Sequence, residues 1–223
     1  PKTSDFQIVD IESNDPADGE IQVKNICLSV DPYMRGRMVD RKSYVPPFQI
    51  GEPLTGGAIG KVTKSAHPDF KEGDFVSSHW GWRDGFTARA EGIERLGEIV
   101  APASEYLGAI GMPGMTAYAG LLEVGALKDG ETVFVSGAAG AVGSIVGQIA
   151  KLKNCHVIGS AGNDEKVELL TKELGFDSAF NYNDGNLLGH LRELAPEGID
   201  VYFDNVGAEH LEAALMCMRP FGR

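Results

Sequence analysis

The chain has 223 residues, of which 43% are hydrophobic, so it is long enough for roughly one and a half domains with substantial cores. Its 20 Lys and Arg residues are outnumbered by 32 Asp and Glu residues, which gives a formal net charge of −12 and makes nucleic-acid binding a poor expectation. The sequence has no apolar run of about 18 residues and no signal-peptide pattern at its start. We therefore expect a cytoplasmic protein without membrane contact.

The cysteines give no sign of a disulfide framework or a structural zinc site. Cys27, Cys155 and Cys217 are far apart, odd in number and free of any Cys-x-x-Cys spacing. We expect three buried free thiols.

The first half of the chain has the pattern of short strands broken by turns. Residues 20–26 alternate polar and apolar side chains, as a half-buried strand does, and residues 59–62 and 74–76 add further strand-like pieces. Another strand is expected at Phe6. Turn signals such as Asp18-Gly19 separate these pieces. The pattern predicts a mostly β domain over residues 1–107, with a small irregular barrel as its form.

The pattern changes after Pro113, where strands and helices begin to alternate. Apolar residues recur at helical spacing over residues 115–124, and Gly125 stands where a helix C-cap is expected. Strands are predicted at residues 132–136, 156–159, 178–182 and 200–204, and helices at 142–152, 164–174, 186–195 and 209–218. This alternation predicts a doubly wound parallel sheet over residues 108–223.

A glycine-rich turn follows the first strand of this second half. It runs Gly137-Ala138-Ala139-Gly140-Ala141-Val142-Gly143 and opens directly into a predicted helix. In a dinucleotide-binding fold, Gly140 would let backbone N–H groups approach a pyrophosphate, and Gly143 would let the helix pack closely on the strand. Ala138 replaces the first glycine of the fingerprint, so a tight turn without a ligand is the alternative.

The end of the second strand indicates which nicotinamide cofactor to expect. An acidic residue there would bind the ribose 2′-hydroxyl of NAD, but residues 159–163 contain no carboxylate. Lys166 could reach a 2′-phosphate as a point charge, although it could also be an ordinary solvated helix lysine. The sequence therefore favours NADP over NAD.

Three further motifs carry a family resemblance that covers essentially the whole chain. They are residues 31–38, DPYMRGRM, residues 111–118, GMPGMTAY, and residues 203–207, FDNVG. Together with the glycine turn they resemble the zinc-independent medium-chain dehydrogenase/reductases, in the branch that contains prostaglandin reductase and NADPH-dependent curcumin reductase. The resemblance implies an α/β protein with an N-terminal GroES-like substrate and catalytic domain followed by a Rossmann NADP-binding domain.

The resemblance also implies roles for particular residues. A pyrophosphate cradle would be formed by Gly140, Ala141, Val142 and Gly143. Lys166 and Tyr182 match positions near the adenosine phosphate, Asn205 matches another NADP contact, and Thr116 resembles a residue on the nicotinamide side. Each has a simpler alternative: Tyr182 could be a core aromatic, Asn205 could form an Asx turn, and Thr116 could only cap a helix.

No metal is expected. Zinc alcohol dehydrogenases of the same superfamily carry a Gly-His-Glu where this chain has Gly51-Glu52-Pro53. The five histidines show no spacing that would place two ligands on one face. We therefore expect activity to survive chelators.

Without a metal, reduction of an activated C=C bond is the favoured chemistry. Hydride from NADPH would reach the β-carbon of an enone or enal, and Tyr33 would donate a hydrogen bond to the carbonyl oxygen, unless it is only a core aromatic. Arg35 and Arg37 are expected to brace this loop through carboxylates. The alternatives are a quinone reductase on the same scaffold and an NADPH-binding protein without significant turnover.

The strand count suggests an incomplete chain. A dinucleotide fold of this type has six parallel strands, whereas the sequence supplies four and stops at Arg223, where the fifth should begin. It also opens on Pro1 rather than Met. We expect the Rossmann domain to be truncated after its fourth strand, so that the isolated chain has an uncovered sheet edge, poor solubility and little activity. The resemblance implies a homodimer for the full-length protein, through the missing edge.

Overall fold

The computed structural model describes residues 2–223, and Pro1 lies outside the described residues. The chain divides into two compact units between Leu107 and Gly108. The first unit is built on an antiparallel sheet and the second on a parallel sheet with helices on both faces. None of the helices formed by residues 2–223 is long and apolar enough to cross a bilayer.

The first unit contains five strands and one short helix. Its elements are β1 (Glu20–Leu28), α1 (Tyr33–Arg37), β2 (Ala58–Ser65), β3 (Phe75–Ser78), β4 (Gly85–Arg89) and β5 (Glu94–Gly97), with 3₁₀ turns at Thr3–Asp5 and Ala103–Leu107. The strands pair antiparallel in the order β4-β1-β2-β3-β5. The strands predicted over residues 20–26, 59–62 and 74–76 are confirmed as β1, β2 and β3.

The alternation in β1 explains how this strand packs between β4 and β2. Ile21 and Val23 point into the core, where they pack with Val62, Val76 and Phe86. Gly60 of β2 lies against β1 so closely that a Cβ there would be 2.5 Å from Val23 Cγ1. The core therefore depends on a glycine in the neighbouring strand as well as on the apolar face of β1.

The predicted strand at Phe6 is wrong. Residues 6–17 form neither helix nor strand, and Ile8 in this segment is fully exposed. A segment with alternating apolar residues forms a strand only where a neighbouring strand provides backbone hydrogen-bond partners. Among the described residues, no strand pairs with this segment. Side chains hold its end instead, since Thr87 Oγ1 donates to the Asn14 carbonyl oxygen at 2.8 Å.

The second unit alternates strands and helices as predicted. Its elements are α2 (Met112–Tyr118), a π-helical turn (Ala119–Val124), β6 (Thr132–Val135), α3 (Gly143–Leu152), β7 (His156–Ala161), α4 (Asp164–Lys172), β8 (Ser178–Asn181), a 3₁₀ turn (Tyr182–Asp184), α5 (Leu187–Leu194), β9 (Val201–Phe203) and α6 (Glu209–Cys217). The parallel order is β8-β7-β6-β9. This corresponds to 3-2-1-4 of a Rossmann sheet.

The first helix of this unit differs from the prediction for residues 115–124. It starts three residues earlier, at Met112, with Gly111 as N-cap, because Pro113 is tolerated in the first turn. A Cβ on Gly114 would be 1.8 Å from the Ala109 carbonyl oxygen, so this position admits only glycine. Gly125 is the C-cap as predicted, but with φ −69° it is not left-handed.

The sheet of the second unit is buried on both faces, which explains its continuous apolar strands. Val133, Val135 and Val157 pack on one side, and Phe134 and Ile158 pack on the other.

One aromatic ring occupies a slot made by two glycines in this core. A Cβ on Gly147 of α3 would be 2.0 Å from Phe176 Cζ, and a Cβ on Gly159 of β7 would be 3.0 Å from the same ring. The Phe176 ring therefore fills the space that side chains at both glycine positions would need.

The outer edge of β9 is partly paired by the last residue. Tyr202 N donates to the Arg223 carbonyl oxygen at 2.8 Å, and Arg223 N donates to the Asp200 carbonyl oxygen at 2.9 Å. The Arg223 guanidinium also donates to the Gly125 carbonyl oxygen and to the Glu131 carboxylate. The edge of β9, which we expected to be uncovered, is therefore paired with Arg223 next to Tyr202. Leu215 and Met216 on α6 remain exposed.

Candidate cofactor site

The glycine turn after β6 explains why Ala138 departs from the dinucleotide fingerprint. The left-handed residue is Gly137, with φ +56°. Ala138 has no positive φ, is fully buried, and donates from its N–H to the Ser160 carbonyl oxygen at 2.9 Å. The turn therefore uses its first glycine one position earlier, and an alanine methyl fits where the fingerprint places glycine.

Gly143 has the packing role that the sequence predicts. A Cβ there would be 2.6 Å from the Gly137 carbonyl oxygen and 2.8 Å from Ala138 Cα, which are backbone atoms that cannot move aside. Gly140 is exposed, and a Cβ on it would be 3.2 Å from the Gly137 carbonyl oxygen. Gly143 thus fixes helix packing, and Gly140 keeps the outer surface of the turn open.

The backbone of this turn offers free donors at the start of α3. The N–H groups of Ala141, Val142 and Gly143 make no hydrogen bond within residues 2–223, and no side chain caps the helix. Unpaired N–H groups at the positive end of a helix are a suitable environment for a phosphate. The residues present fit the predicted pyrophosphate cradle.

Residues 159–163 at the end of β7 carry no carboxylate, and the first acids after them, Asp164 and Glu165, begin α4. Asn163 caps α4 by accepting a hydrogen bond from Lys166 N at 2.9 Å. The Asp164 carboxylate accepts a hydrogen bond from Asn181 Nδ2, also at 2.9 Å. Lys166 is exposed, and no carboxylate in the described part of the chain pairs with its ammonium group. By contrast, Lys172 on the same helix pairs with Glu168 at 2.9 Å.

Tyr182 lies at the same end of the sheet as Gly162. It begins the 3₁₀ turn after β8 and is 36% exposed, so the alternative of a core aromatic is wrong. A Cβ on Gly162 would be 2.9 Å from the Tyr182 hydroxyl oxygen. The ring meets the edge of His210 at a centroid distance of 5.0 Å, and His210 is only 5% exposed.

A hydrogen-bonded network joins the carboxyl ends of β6 and β9. Asp204 Oδ1 accepts from the hydroxyls of Tyr202 and Ser136, at 2.7 and 3.2 Å, and from the N–H groups of Val206 and Gly207, at 2.9 and 2.7 Å. The Asx turn given as the alternative for Asn205 is therefore made by Asp204. Asn205 instead donates from Nδ2 to the Ser136 carbonyl oxygen and from its backbone N–H to Ser136 Oγ, both at 2.9 Å.

This network also sets the ionisation of its members. Burial and the neighbouring Asp204 carboxylate raise the pKa of Tyr202, which keeps its hydroxyl protonated. Burial alone would raise the pKa of Asp204, but the hydrogen bonds from Tyr202, Val206, Gly207 and Ser136 outweigh it and lower that pKa. Asp204 is therefore a carboxylate at neutral pH.

Thr116 does not cap its helix. It is the fifth residue of α2 and is exposed, whereas the N-cap is Gly111. The alternative of a helix cap is wrong, and contact with the nicotinamide side of a cofactor stays a prediction.

In the first unit, Tyr33 opens α1 and is half-buried. Burial and the nearby Asp31 carboxylate raise the pKa of Tyr33. Its side chain lines an open depression that Arg35, Arg41 and Tyr44 also line. Tyr33 thus stays protonated at neutral pH and forms part of the wall of an open depression.

The predicted carboxylate partners of the two arginines are wrong. Arg37 donates to the Pro46 carbonyl oxygen at 2.9 Å and to Thr55 Oγ1 at 3.0 Å, and its guanidinium stacks on the Phe48 ring at 4.0 Å. Neither Arg37 nor Arg35 pairs with a carboxylate within residues 2–223. A carbonyl, a hydroxyl and an aromatic face satisfy the planar guanidinium of Arg37 in place of an acid.

The Gly51-Glu52-Pro53 segment forms an exposed turn, with Gly51 at φ +85°. Nowhere in the described part of the chain do three His, Cys, Asp or Glu side chains group so that they could hold a metal ion. Metal independence stays a prediction. The cysteines are free, and Cys155 and Cys217 are buried as expected, whereas Cys27 is half-buried.

Sequence reasoning did not identify Ser136, Tyr202, Asp204 or His210 as site residues. A signal was available for two of them, because Ser136 and Asp204 each directly follow a strand, and the carboxyl ends of parallel strands meet at one edge of a sheet. The bonds of Ser136 to Tyr202 and Asp204 join residues 66 and 68 positions apart, which no local pattern indicates.

Two family descriptions match the chain. Residues 1–96 match the N-terminal domain of oxidoreductase, and residues 141–223 match a family described as zinc-binding dehydrogenase. The 2-alkenal reductase (NADP(+)-dependent) of Nicotiana tabacum is 47% identical over 231 residues, covering 100% of this chain and 67% of the relative. Prostaglandin reductase 1 of Bos taurus is 46% identical over 227 residues, with the same coverage.

A solved structure agrees with these relatives. The crystal structure of CurA from Vibrio vulnificus in complex with NADPH superposes with a TM-score of 0.93 at 41% identity, covering 100% of this chain and 66% of that one. The chain thus spans about two thirds of the length of the proteins it matches. It belongs to the medium-chain dehydrogenase/reductase superfamily, in the zinc-independent branch that its motifs resemble.

Proposed function

We propose that this chain is part of an NADP-dependent oxidoreductase that reduces the C=C bond of α,β-unsaturated ketones or aldehydes. The observation that carries the proposal is the glycine turn after β6, with free N–H groups at Ala141, Val142 and Gly143, in a chain of this family. The names of the relatives supply the chemistry, since one is a 2-alkenal reductase and another a prostaglandin reductase. Residues 1–107 would form the substrate and catalytic domain, and residues 108–223 the NADP-binding domain.

The cofactor contacts that we propose lie in the second unit. The pyrophosphate would be held by Gly140, Ala141, Val142 and Gly143. Lys166 and Tyr182 would recognise the adenosine 2′-phosphate, because both border the Gly162–Asn163 turn, whose own residues carry no acid. Asn205 and Thr116 would contact other parts of the cofactor.

Two groups would carry out the reduction: the bound cofactor and the Tyr33 hydroxyl. When bound, NADPH supplies a hydride to the β-carbon of the conjugated substrate. The Tyr33 hydroxyl would donate a hydrogen bond to the carbonyl oxygen, where negative charge develops as the enolate forms, and a proton from water at the α-carbon would complete the saturated carbonyl product. Because burial and Asp31 raise the pKa of Tyr33, its proton stays in place at neutral pH.

The test of this proposal is NADPH oxidation by the full-length protein against one panel of small enones, long-chain oxo-lipids, diarylheptanoids and quinones. We expect oxidation with enones or enals, and a saturated carbonyl product by mass spectrometry. Oxidation with quinones alone would instead make the protein a quinone reductase. Tight NADPH binding without oxidation across the panel would make it a binding protein.

Tyr33→Phe is expected to reduce turnover by about 100-fold, the order found when one donor to a developing oxyanion is removed. The dissociation constant for NADPH should not change, because the proposed donor contacts only the substrate. Tyr44→Phe is the matched control, since Tyr44 lines the same depression. Unchanged turnover in Tyr33→Phe would return Tyr33 to a structural role.

For the full-length protein we also propose a homodimer, as the family resemblance implies, and a cytoplasmic location, which three unpaired thiols favour. Light scattering of the purified protein and cell fractionation test these two statements. A monomer, or recovery outside the cytoplasm, would contradict them.

A further inference from the structure

The turn after β7 is tied to the end of β8 by asparagine side chains. The two strands run parallel, and their last residues, Ala161 and Asn181, are paired in register. Asn181 donates from Nδ2 to Asp164 Oδ1 at 2.9 Å. Asn183, which follows β8, donates from Nδ2 to the Gly162 carbonyl oxygen at 2.7 Å. Two uncharged side chains therefore hold the turn in which we propose the 2′-phosphate site.

The amide of Asn181 is fixed in one orientation. Its Oδ1 accepts a hydrogen bond from the Asn183 backbone N–H at 3.1 Å, while its Nδ2 donates to the Asp164 carboxylate. A flipped amide would place Oδ1 against that carboxylate and Nδ2 against the N–H group, so that like groups would face each other at both ends. Asn181 therefore always presents a donor to Asp164.

Asp164 is the first acidic residue after β7, and its charge has two opposite effects. As the first residue of α4, the carboxylate stabilises the positive end of that helix. In the proposed site, the same charge would repel the 2′-phosphate of NADP. A carboxylate after this strand is also the group that binds the 2′-hydroxyl of NAD. The direction in which the Asp164 carboxylate is held therefore affects the choice between the two cofactors.

Building on the proposed function, we infer that Asn181 is a positioning residue that sets the preference for NADP over NAD by holding the Asp164 carboxylate on the side of β8. The Nδ2 donor engages the carboxylate and offsets part of its charge. Lys166 and Tyr182 are then left to meet the 2′-phosphate. Asn181 acts through Asp164 and not by contact with the cofactor, and its neutral amide adds no charge of its own.

The experiment measures dissociation constants of the full-length protein for NADP⁺, NAD⁺ and 2′,5′-ADP, which carries only the adenosine half of NADP. The readout is the NAD⁺ constant divided by the NADP⁺ constant, because a purely structural loss raises both constants alike. We expect Asn181→Ala to lower this ratio about fivefold, the order of one charge–charge contact at a protein surface. Binding of 2′,5′-ADP should weaken with that of NADP⁺, while retained NAD⁺ binding shows that the variant is folded.

The dependence on Asp164 is tested by repeating the substitution in an Asp164→Asn background. There, Asn181→Ala should leave the ratio unchanged, because no carboxylate remains to be released. Glu165→Gln is the matched background, since Glu165 lies in the same turn of α4 and the Asn181 amide donates to Asp164 instead. In that background, Asn181→Ala should still lower the ratio about fivefold.

Exchanging the two side chains gives a second test in which the shape of the pair is kept. Asn181→Asp alone would place two carboxylates face to face, so it should lower the ratio more than Asn181→Ala does. Combined with Asp164→Asn, the pair again has one amide donor and one carboxylate acceptor. The ratio should then recover toward the wild-type value.

The positioning role is refuted if Asn181→Ala leaves the ratio unchanged, weakens NADP⁺ and NAD⁺ equally, or lowers the ratio as strongly in the Asp164→Asn background. An exchanged pair with a ratio no higher than that of Asn181→Asp would also contradict it. These outcomes leave the proposed function intact. A wild-type protein that binds NAD⁺ as tightly as NADP⁺ would instead refute the NADP dependence of the proposed function, and the role of Asn181 with it.

Discussion

The two ends of the proposed cofactor groove are built in different ways. At one end, Lys166 is exposed and makes no ion pair within the described chain, and Tyr182 is partly exposed with its ring against His210. At the other end, Ser136, Asp204 and Asn205 are joined by a dense set of hydrogen bonds. A point charge attracts a phosphate over a range of positions, whereas an amide oxygen must be aimed. We therefore expect the first end to contribute affinity for the phosphate of the cofactor, and the second end to fix the orientation of the bound cofactor.

The glycine turn lies between the two ends, so Gly143→Ala is expected to have the broadest effect, on the fold and on both ends of the groove. The new methyl group would overlap the backbone of Gly137 and Ala138, and overpacking of this kind costs about 1–3 kcal/mol of unfolding free energy. Binding at both ends should fall together, because the turn and α3 must shift. Thermal melting and binding of NADP⁺ and 2′,5′-ADP measure this.

Gly140→Ala is the comparison within the same turn. Its methyl group would meet a single carbonyl oxygen at 3.2 Å, so the melting temperature should change much less than in Gly143→Ala. Equal melting of Gly143→Ala and wild type would show that the close approach is not required.

Lys166→Ala isolates the surface end of the groove. Loss of a charge-assisted contact costs roughly 1.5–3 kcal/mol, so NADPH affinity should fall about tenfold or more while NADH affinity hardly changes. Titrations with both cofactors measure the ratio. Lys172→Ala on the same helix is the control, since Lys172 is paired with Glu168. Equal losses for NADPH and NADH would remove Lys166 from the 2′-phosphate site.

His210 lies between the two ends of the groove. The pH dependence of stability that we assign to it is the smallest of the expected effects. Its ring contacts Tyr182, its backbone N–H donates to the Gly207 carbonyl oxygen, and it faces the charges of Asp204 and Glu209. Burial lowers the pKa of His210, although these two acids act in the opposite direction. The folded state therefore binds fewer protons than the unfolded state once the pH falls below about 6.5.

Stability should consequently decline as the pH falls from about 6.5 toward the lowered pKa, by at most about 1.4 kcal/mol per pH unit. Denaturant unfolding between pH 7 and pH 5 measures this decline, and His210→Phe should remove it while keeping a ring beside Tyr182. The carboxylates with lowered pKa, Asp177, Asp204 and Glu131, lose their contribution only below about pH 4.5. An identical pH profile in His210→Phe would exclude His210 as the cause.

The same contrast explains how far the sequence could predict the molecule. The order of strands and helices in the second unit followed from periodicity and glycine positions, and most boundaries lie within two residues of the prediction. The prediction of a strand at Phe6 failed because the alternation of polar and apolar residues does not show whether a partner strand is present. The helix start at Met112 was missed because Pro113 was interpreted as a boundary rather than as a first-turn residue.

The residues of the candidate site also differ in how far the sequence could indicate them. Lys166 and Tyr182 could be proposed from the sequence because they match family positions near strand ends, and their contacts with a cofactor stay predictions. The partners of Asn205 were not, because the bond to Ser136 joins residues 69 positions apart and depends on β6 and β9 being neighbours. The register of paired strands therefore has to be known before such a network can be identified.

The slot that holds Phe176 has a consequence for sequence variation. Since Gly147 and Gly159 both leave room for one ring, these three positions cannot vary independently. A larger residue at position 147 or 159 requires a smaller one at position 176. Conversely, a smaller residue in place of Phe176 opens a cavity, which a methyl group at either glycine position could partly fill. Alignments of the family should accordingly show covariation among these three positions, although none of them belongs to the proposed cofactor site.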